Sequence, residues 1–405
     1  MLINITLEES ERFGDWGYVY ADDAAAPSCC EDGVVITRYA GPGGQTEIPE
    51  VINGLPVRAV GLGAFARRKD IISVVIPGTV RIIGPGAFKD CKGLSSIDVN
   101  DGTTKIEYCA FMGCKNLTSA VIPSGVKEIE GFAFSGCKNL RTLVIHNGVE
   151  NIGGYAFRGC KQLISVSLPE SVNYISNEVF GDCANLTEIH VSENNKNYSS
   201  EDGVLFNIDK TELIMVPAKK SGGYIIPDSV TEIDYAAFKG CYNLTEVRVS
   251  KHNAAYSSAD SALYDKTETV LLMVPERISG DYAVPDGVTE ISANAFRSFT
   301  RLQSVVIPGG VVKIGDGVFC GCEELTSAVI QNGVKEISRG MFEGCKRLKS
   351  VVIPDSVTTI EDNAFRGCAA LEEIVLPDNL IRIGARAFSG CKSLKNAALF
   401  TKYRI

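Results

Sequence analysis

The sequence is poor in the residues on which most catalytic and metal sites depend. Its 405 residues include only three histidines, His146, His190 and His252, and no two of them form a His-x-x-x-His pair. It also lacks a glycine-rich phosphate-binding loop and a Gly-x-Ser-x-Gly nucleophile elbow. Cys320 and Cys322 do not have the two-residue spacing of a zinc knuckle. We therefore expect neither catalysis nor a cofactor or metal site.

A basic excess and a membrane-spanning segment are missing as well. Forty lysines and arginines against 49 aspartates and glutamates give a net charge of −9, and no Lys/Arg cluster stands out along the chain. This balance disfavours nucleic acids and anionic membranes as partners. No apolar run reaches about 18 residues, so we expect no membrane insertion. The first ten residues lack the basic and apolar regions of a signal peptide, which predicts an intracellular protein or a trimmed export product.

A phenylalanine recurs at a fixed interval of one repeat along most of the chain, and the interval widens only before Phe238 and again before Phe296. The members of this series are Phe65, Phe88, Phe111, Phe134, Phe157, Phe180, Phe238, Phe296, Phe319, Phe342, Phe365 and Phe388. A repeat of this length cannot bury its own apolar side, so neighbouring repeats must stack. The sequence therefore predicts a solenoid with these phenylalanines in its core.

One repeat runs from Leu140 to Cys160, and positions within a repeat are numbered from Leu140 as position 1. Apolar residues occupy positions 1, 4, 6, 10, 13, 17, 18 and 21, a spacing that fits neither a sustained helix nor a sustained strand. Positions 4 to 6 alternate like a short strand, and proline, which cannot donate to a strand ladder, often follows at position 7. Positions 17 to 21 leave room for about one helical turn on the opposite side.

The consensus Leu-x-x-Val-x-Ile-Pro-x-x-Val-x-x-Ile-x-x-x-Ala-Phe-x-x-Cys-x-x-Leu resembles the BspA-type leucine-rich repeat over about residues 48–399. The resemblance implies a curved, right-handed solenoid with a parallel β-sheet on its concave face and short helical or irregular turns on its convex side. Members of that family are typically surface-attached or secreted proteins of host-associated anaerobic microbes, and some are adhesins for host matrix proteins. A bacterial cell-surface or secreted location is therefore implied by the resemblance.

Each of the two wider steps carries a copied insert, near residues 192–226 and 250–284. In the first copy, residues 203–206 and 213–216 flank a short loop, which is the pattern of a β-hairpin. In the second copy, residues 262–264 and 270–274 stand in the same places. Two alternatives remain open: the hairpins pad a wide repeat, or they protrude sideways and shape a surface for a ligand.

The two ends of the chain differ from the repeats between them. Residues 1–47 do not match the repeat that runs through 48–405, and Trp16, Tyr18, Tyr20 and the apolar run 34–36 predict β-strands that cap the first repeat. At the other end, Phe400 and Tyr403 are expected to close the last repeat, which favours a monomer. The alternative is that this end meets a second copy, which gives an end-to-end dimer.

Ten of the fourteen cysteines stand at position 21 of their repeats. They are Cys91, Cys114, Cys137, Cys160, Cys183, Cys241, Cys322, Cys345, Cys368 and Cys391. Because Phe299 occupies the same position in one repeat, the position is expected to be interior, where a free cysteine packs as a small apolar residue. Side chains in neighbouring repeats of a ladder point the same way and stay too far apart for a disulfide. We therefore expect reduced core cysteines.

The side chains at positions 3 and 5 should point out of the sheet, because they alternate with the inward positions 4 and 6. Position 5 carries a stripe of valines: Val75, Val121, Val144, Val306, Val329, Val352 and Val375. In the middle of the chain the stripe gives way to charge, at Glu188 with His190 and at Glu246 with Arg248. A contiguous exposed apolar stripe is typical of an interface. Strand formation and packing between repeats also favour valine at this position without any ligand.

These features predict a non-catalytic binding or adhesion module. It would recognise a host or surface protein, or a glycan, through the concave face and the central inserts. The alternative is a structural spacer or stalk with no ligand of its own. Charge reversal on the concave face separates the two, because a spacer tolerates it and a receptor does not.

Overall fold

The structure, a computed structural model, describes residues 11–21, 32–176, 178–275, 279–293, 295–296, 299 and 301–395. It is a leucine-rich-repeat β-solenoid of about 15 turns with parallel strands. One such turn is termed a coil. Thirty-five strands, β1 to β35 in chain order, lie in these ranges. Four residues of interest in the sequence, Cys29, Cys30, Phe400 and Tyr403, fall outside the described residues.

The segment at positions 17 to 21 is a series of tight turns. No α-helix is found in the part of the chain that the structure describes, so the helical turn expected at these positions is not confirmed. In one coil the Cys91 N–H donates to the Phe88 carbonyl at 3.1 Å, and the Leu94 N–H donates to the Cys91 carbonyl at 3.1 Å. Each bond spans three residues, which is the span of a β-turn.

The chain divides into two compact units, which are described separately. Unit 1 comprises Met1–Lys220 and Ala236–Cys241, and unit 2 comprises Ser221–Tyr235 and Tyr242–Ile405. In both units most coils contribute a front strand at positions 3 to 6 and a two-residue back strand at positions 12 and 13.

Unit 1 begins with a small antiparallel sheet that covers the first coil. Its strands are β1 (Glu11–Phe13), β2 (Trp16–Tyr20) and β3 (Val34–Tyr39), and a hairpin of β5 (Val51–Ile52) and β6 (Leu55–Val60) follows. This confirms the strands predicted at Trp16–Tyr20 and in the run 34–36. The Trp16 ring packs 4.5 Å from Tyr39 and 6.0 Å from Phe65, centroid to centroid.

Arg68 ties this sheet to the first coil from position 21, where most other coils have cysteine. Its guanidinium donates to the carbonyls of Tyr39 at 3.1 Å and Gly41 at 2.7 Å, and it makes two bonds with Asp70 at 2.8 and 2.7 Å. It also lies over the Tyr39 ring at 5.2 Å. The cap is therefore held by polar as well as aromatic contacts.

Parallel ladders run through the remaining coils of unit 1. The front strands are β4 (Gly44–Glu47), β7 (Ile71–Ile76), β9 (Ser96–Val99), β11 (Ser119–Ile122), β13 (Thr142–Ile145), β15 (Ser165–Leu168) and β17 (Glu188–Val191). The back strands are β8 (Ile82–Ile83), β10 (Lys105–Ile106), β12 (Glu128–Ile129), β14 (Asn151–Ile152) and β16 (Tyr174–Ile175). Equivalent residues of successive coils are paired, as Val121 is with Val144. Because β4 already pairs with β7, the parallel ladder begins before residue 48.

The first insert forms an antiparallel three-stranded meander on the edge of β17. Its strands are β18 (Tyr198–Glu201), β19 (Val204–Asn207) and β20 (Glu212–Met215). A buried amide anchors its entry: Asn195 donates to the carbonyls of Pro169 at 2.9 Å and Val172 at 3.0 Å. Its Oδ1 accepts from the N–H groups of Asn197 and Tyr198 at 2.9 and 2.8 Å.

Unit 2 repeats this plan. Its front strands are β21 (Gly222–Ile226), β23 (Leu244–Val249), β27 (Gly280–Ala283), β29 (Leu302–Ile307), β31 (Ser327–Ile330) and β33 (Ser350–Val352). Its back strands are β22 (Glu232–Ile233), β28 (Glu290–Ile291), β30 (Lys313–Ile314), β32 (Glu336–Ile337), β34 (Thr359–Ile360) and β35 (Arg382–Ile383). The second insert forms β24 (Tyr256–Ala259), β25 (Ala262–Asp265) and β26 (Val270–Met273), with Asn253 in the place of Asn195.

Stacked phenylalanine rings occupy the core of each unit. From Phe65 to Phe180 in unit 1, successive centroids are 4.7 to 5.6 Å apart, and from Phe296 to Phe388 in unit 2 they are 5.0 to 5.5 Å apart. The prediction of a core position is wrong for Phe238, which is only partly buried. Met215 and Ser261, rather than phenylalanines, stand one regular interval before and after it, so the repeat that buries the other rings is broken on both sides of Phe238.

The cysteines at position 21 line the core beside this stack. Cys91, Cys114, Cys137 and Cys160 are fully buried and free. Each thiol donates to the carbonyl of a phenylalanine in the preceding coil, at 3.0 to 3.4 Å. Burial raises the pKa of Cys91 and of Cys137 to about 12, which keeps both thiols protonated. The four thiols are thus buried and unpaired in the core, and their reduced state stays a prediction.

Candidate binding surface

The predicted outward positions of the front strands form a regular surface in each unit. The outward row is defined as the side chains at positions 3 and 5 of the front strands. In unit 1, Ser119 and Val121 pair side by side with Thr142 and Val144. This follows from the parallel register, which places equivalent residues of neighbouring coils about 4.8 Å apart. Hydroxyls and valines therefore lie in two adjacent lines.

The exposure of the valines differs between the units. In unit 1, Val121 and Val144 are 43% and 38% exposed, but Val75 is half-buried and is paired with Asp98 rather than with another valine. In unit 2, Val306, Val329 and Val352 are neighbours in one ladder. The valine exposures there are 36% at Val329, 56% at Val352 and 81% at Val375, while Val306 is half-buried. The apolar stripe is therefore interrupted in unit 1 and continuous in unit 2 from Val306 to Val352.

The charged residues of the outward row form ion pairs within their own strands. On β17 the His190 Nε2 lies 3.3 Å from the Glu188 Oε1, a pair that is ionic when the imidazole is protonated. On β23 the Arg248 Nη2 lies 3.0 Å from the Glu246 Oε2. Each pair is substantially exposed, so its own energy is small, about 0.2–1 kcal/mol. A partner that binds there meets a polar patch with both signs of charge.

Both inserts lie against these charged strands. In unit 1 the Ile189 N–H donates to the Gly203 carbonyl at 2.9 Å, and in unit 2 the Val247 N–H donates to the Ser261 carbonyl at 3.2 Å. A Cβ atom on Gly203 would lie 2.9 Å from the Cα of Glu188, so the first insert approaches its strand closely at a glycine, where the second insert has Ser261. The insert strands thus occupy the edge of β17 and of β23, and Leu205 lies within the core.

Several members of the outward row lie in coils that the repeat pattern did not identify. Glu47 on β4 pairs with Val75, Ile225 on β21 pairs with Arg248, and Asp281 on β27 pairs with Ser304. The Ser304 hydroxyl donates to the Asp281 carboxylate at 2.6 Å. These coils lack the leucine that opens other repeats. The signal that would have found them is the proline at position 7, because Pro49, Pro227 and Pro285 each stand two residues after an outward position.

Metal sites and membrane-spanning helices have no candidate in the described ranges. Among the described residues no group of three or more His, Cys, Asp or Glu side chains is arranged to hold a metal ion. None of the described segments is a helix long and apolar enough to cross a membrane.

Comparison with known proteins gives the family. The model of the BspA type leucine rich repeat region matches six copies, over residues 58–187, 104–217, 222–278 and 281–402. No match is found among curated proteins.

Solved structures of similar fold cover nearly the whole chain. A leucine rich cell surface protein from Faecalibacterium prausnitzii is 28% identical, with 95% of this chain and 93% of that chain covered and a TM-score of 0.55. The pneumococcal vaccine antigen PcpA is 20% identical, with 94% of each chain covered and a TM-score of 0.61. A leucine-rich repeat protein from Eubacterium ventriosum is 23% identical, with coverage of 95% and 94% and a TM-score of 0.54. With the family model matched over most of its length, the chain belongs to the BspA-type leucine-rich-repeat proteins.

Proposed function

We propose that the chain is a non-catalytic adhesion module, displayed on or secreted from a bacterial cell, that binds a protein partner through its outward row. The observation that carries this proposal is the ladder of Val306, Val329 and Val352 in unit 2, half-buried at Val306 and exposed at Val329 and Val352, and followed by the exposed Val375. The similarity to a protein described as a leucine rich cell surface protein supports the location.

Valine on a strand suits a binding surface for two physical reasons. Its β-branched side chain has few rotamers, so little side-chain entropy is lost when a partner covers it. Each covered valine contributes on the order of 1 kcal/mol of apolar burial, about 25 cal/mol per Å². The outward positions compared above carry no Phe, Tyr or Trp ring on which a sugar would stack, which favours a protein partner over a glycan for this surface.

The ion pairs and the inserts are assigned a secondary role in this function. We propose that Glu188 with His190, and Glu246 with Arg248, contribute specificity at the rim of the surface and little affinity. The inserts hold the edges of the two charged strands, and their exposed loops, such as Ile208 at the tip of the first, are available to a large partner.

The test is binding to immobilised host matrix proteins, namely fibronectin, fibrinogen, laminin and collagen, measured by biolayer interferometry. Replacing Val329, Val352 and Val375 together with Asp should weaken binding on the order of a hundredfold, because three apolar contacts are lost and three charges are introduced. Since the three side chains are exposed, the variant should stay folded, with a melting temperature lowered only slightly by the neighbouring like charges.

A matched control uses exposed apolar residues outside the outward row, Val312 and Ile381, each replaced with Asp. This control variant should bind as the wild type does. Unchanged binding by the outward-row variant would favour the spacer function instead. Failure of the wild-type protein to bind any of the four matrix proteins would contradict the adhesion proposal.

A further inference from the structure

A column of lysines runs along unit 1, with one lysine from the same surface position of each of five coils. Position 22 is lysine in five successive coils, at Lys69, Lys92, Lys115, Lys138 and Lys161, and all five side chains are exposed. In the linear sequence each is a full repeat away from the next, so the column is not visible as a basic cluster along the chain. Folding alone brings them together.

Backbone hydrogen bonds hold the coils in register at this column. The Asn139 N–H donates to the Lys115 carbonyl, and the Gln162 N–H donates to the Lys138 carbonyl, both at 3.2 Å. A Cβ on Gly93 would lie 2.1 Å from the Lys69 carbonyl oxygen, so the first two coils are in direct contact as well. Successive lysines therefore start from backbone positions about 4.8 Å apart along a line.

Elsewhere in the protein, equivalent residues of neighbouring coils carry opposite charges and form ion pairs. Examples are Lys127 with Glu150 at 3.3 Å, Lys313 with Glu290 at 2.7 Å, Arg366 with Glu343 at 3.2 Å, and Lys346 with Glu323 at 2.8 Å. The last pair occupies position 22 of unit 2, so the equivalent column there contains both signs of charge. Stacking like charges is unfavourable, and the lysine column of unit 1 is not a device for stability.

The five ammonium groups are unneutralised within the part of the chain that the structure describes. None of them makes an ion pair there. Asp70, which follows Lys69 in the sequence, is already paired with Arg68 through two hydrogen bonds. Asp90, two residues before Lys92 in the sequence, forms no ion pair among the described residues. Arg141, exposed and three residues after Lys138, adds to the positive potential. A protein with a net charge of −9 thus carries a local line of positive charge.

We propose that the lysine column binds a linear anionic polysaccharide, a chain that carries sulfate or carboxylate groups on successive sugars. Regularly spaced point charges on flexible stems complement such a polyanion, and lysine ammonium groups donate readily to sulfate and carboxylate oxygens. This site lies on turns and is separate from the outward row.

The residues beside the lysines favour a polysaccharide over a nucleic acid. Position 23 forms a parallel column of amides, with Asn116 and Asn139 exposed and Gln162 half-exposed, and an amide both donates to and accepts from sugar hydroxyls. Neither position 22 nor position 23 of these coils holds an aromatic ring, and binding of single-stranded nucleic acid relies on aromatic stacking.

The test uses a size-defined, fully sulfated heparin oligosaccharide as the probe, with Kd measured by isothermal titration calorimetry at several salt concentrations. The variant carries Lys92→Gln, Lys115→Gln and Lys138→Gln. The control carries Lys196→Gln, Lys251→Gln and Lys335→Gln, three exposed lysines outside the column, so the net charge changes equally.

The column variant should bind heparin roughly tenfold more weakly or worse, with a shallower dependence of log Kd on log salt, because fewer ion pairs form. The control should stay within about twofold of the wild type. The melting temperature of the column variant should not fall, because repulsion is relieved.

Three outcomes would overturn the proposal. The first is that the wild-type protein does not bind the oligosaccharide at physiological salt, and the second is that both variants weaken equally, which would reflect net charge alone. The third is that a single-stranded oligonucleotide or anionic lipid vesicles compete as well as heparin does, which would assign the column to another class of polyanion. Desulfated heparin, which keeps only its carboxylates, should compete more weakly because it carries fewer charges.

Discussion

Alkaline pH should destabilise unit 1 through its buried thiols. Burial raises the pKa of Cys91, Cys137 and Cys241 from the ordinary value of 9 to about 12. Between pH 9 and 12 the unfolded chain therefore loses these protons while the folded chain keeps them. The unfolded state binds fewer protons there, so stability falls as pH rises. The contribution is fully present below about pH 9 and is lost progressively up to about pH 12.

The size of the effect follows from the three pKa values. Between about pH 8 and pH 10 the ionisation of each thiol in the unfolded chain, at its ordinary pKa, lowers the unfolding free energy by about 1.4 kcal/mol. This is the equivalent of one pKa unit, 1.36 kcal/mol. Three thiols give about 4 kcal/mol, a large part of the 5–15 kcal/mol typical of a domain. Urea unfolding at pH 8, 9 and 10, followed by circular dichroism in the presence of a reductant, measures this loss.

A single variant isolates the contribution of one thiol. Cys137→Ala removes a buried group, so its loss of stability from about pH 8 to pH 10 should be smaller than that of the wild type by about 1.4 kcal/mol. Cys320→Ala, at a partly exposed cysteine in unit 2, serves as the control and should keep the wild-type dependence. If Cys137→Ala loses stability with pH as steeply as the wild type, burial of the thiol is not the cause of the alkaline instability.

Four further substitutions test the packing of the coils. Phe157→Ala removes one ring from the stack of unit 1 and should lower the unfolding free energy by about 3–5 kcal/mol. Its urea transition should be earlier and less steep. A urea transition equal to that of the wild type would contradict the stacked core. Arg68→Ala leaves two carbonyls of the cap without their donor and should lower the stability of the cap by about 1–3 kcal/mol. Hydrogen exchange should therefore speed up in the cap strands and not in unit 2, and a uniform change would argue against a local tie. Asn195→Ala should lower the unfolding free energy by about 2 kcal/mol or more, because it removes the anchor at the entry of the first insert. Asn253→Ala should have the same effect at the second insert in unit 2. Calorimetry showing unaltered stability for both would mean that these amides do not anchor the inserts.

The repeating part of the fold was predictable because one physical requirement is imposed many times. Phe157 and Cys160 need neighbours on both sides, and the fixed interval that supplies those neighbours is visible in the sequence. Leucine, valine and proline at positions 1, 5 and 7 then identify the front strand and the outward row. The prediction was wrong for Phe238, where the regular interval is broken on both sides and burial is incomplete.

Other features depend on contacts that the sequence alone does not reveal. The edge of β17 accepts the first insert because Gly203 allows close approach to Glu188, and no periodicity signals that contact. The sequence placed Glu188 and His190 on the outward row, but neither their ion pair nor the half-buried state of Val75 beside Asp98 was predicted. The lysine column went unnoticed because a search along the chain looks for charges close in sequence, whereas the solenoid brings together residues that are a whole repeat apart.

The spacing of the phenylalanine stack has a consequence for synthesis of the protein. Each ring is covered by the equivalent ring of the next repeat, which leaves the ribosome soon afterwards, and no distant segment is needed to complete that contact. Unit 1 is therefore suited to grow coil by coil on the nascent chain, with the Trp16 cap as its first seed. The two wider steps, before Phe238 and before Phe296, interrupt this growth. There a longer stretch of chain must emerge before the next front strand finds its neighbour, so these are the stages at which exposed strand edges most need a chaperone.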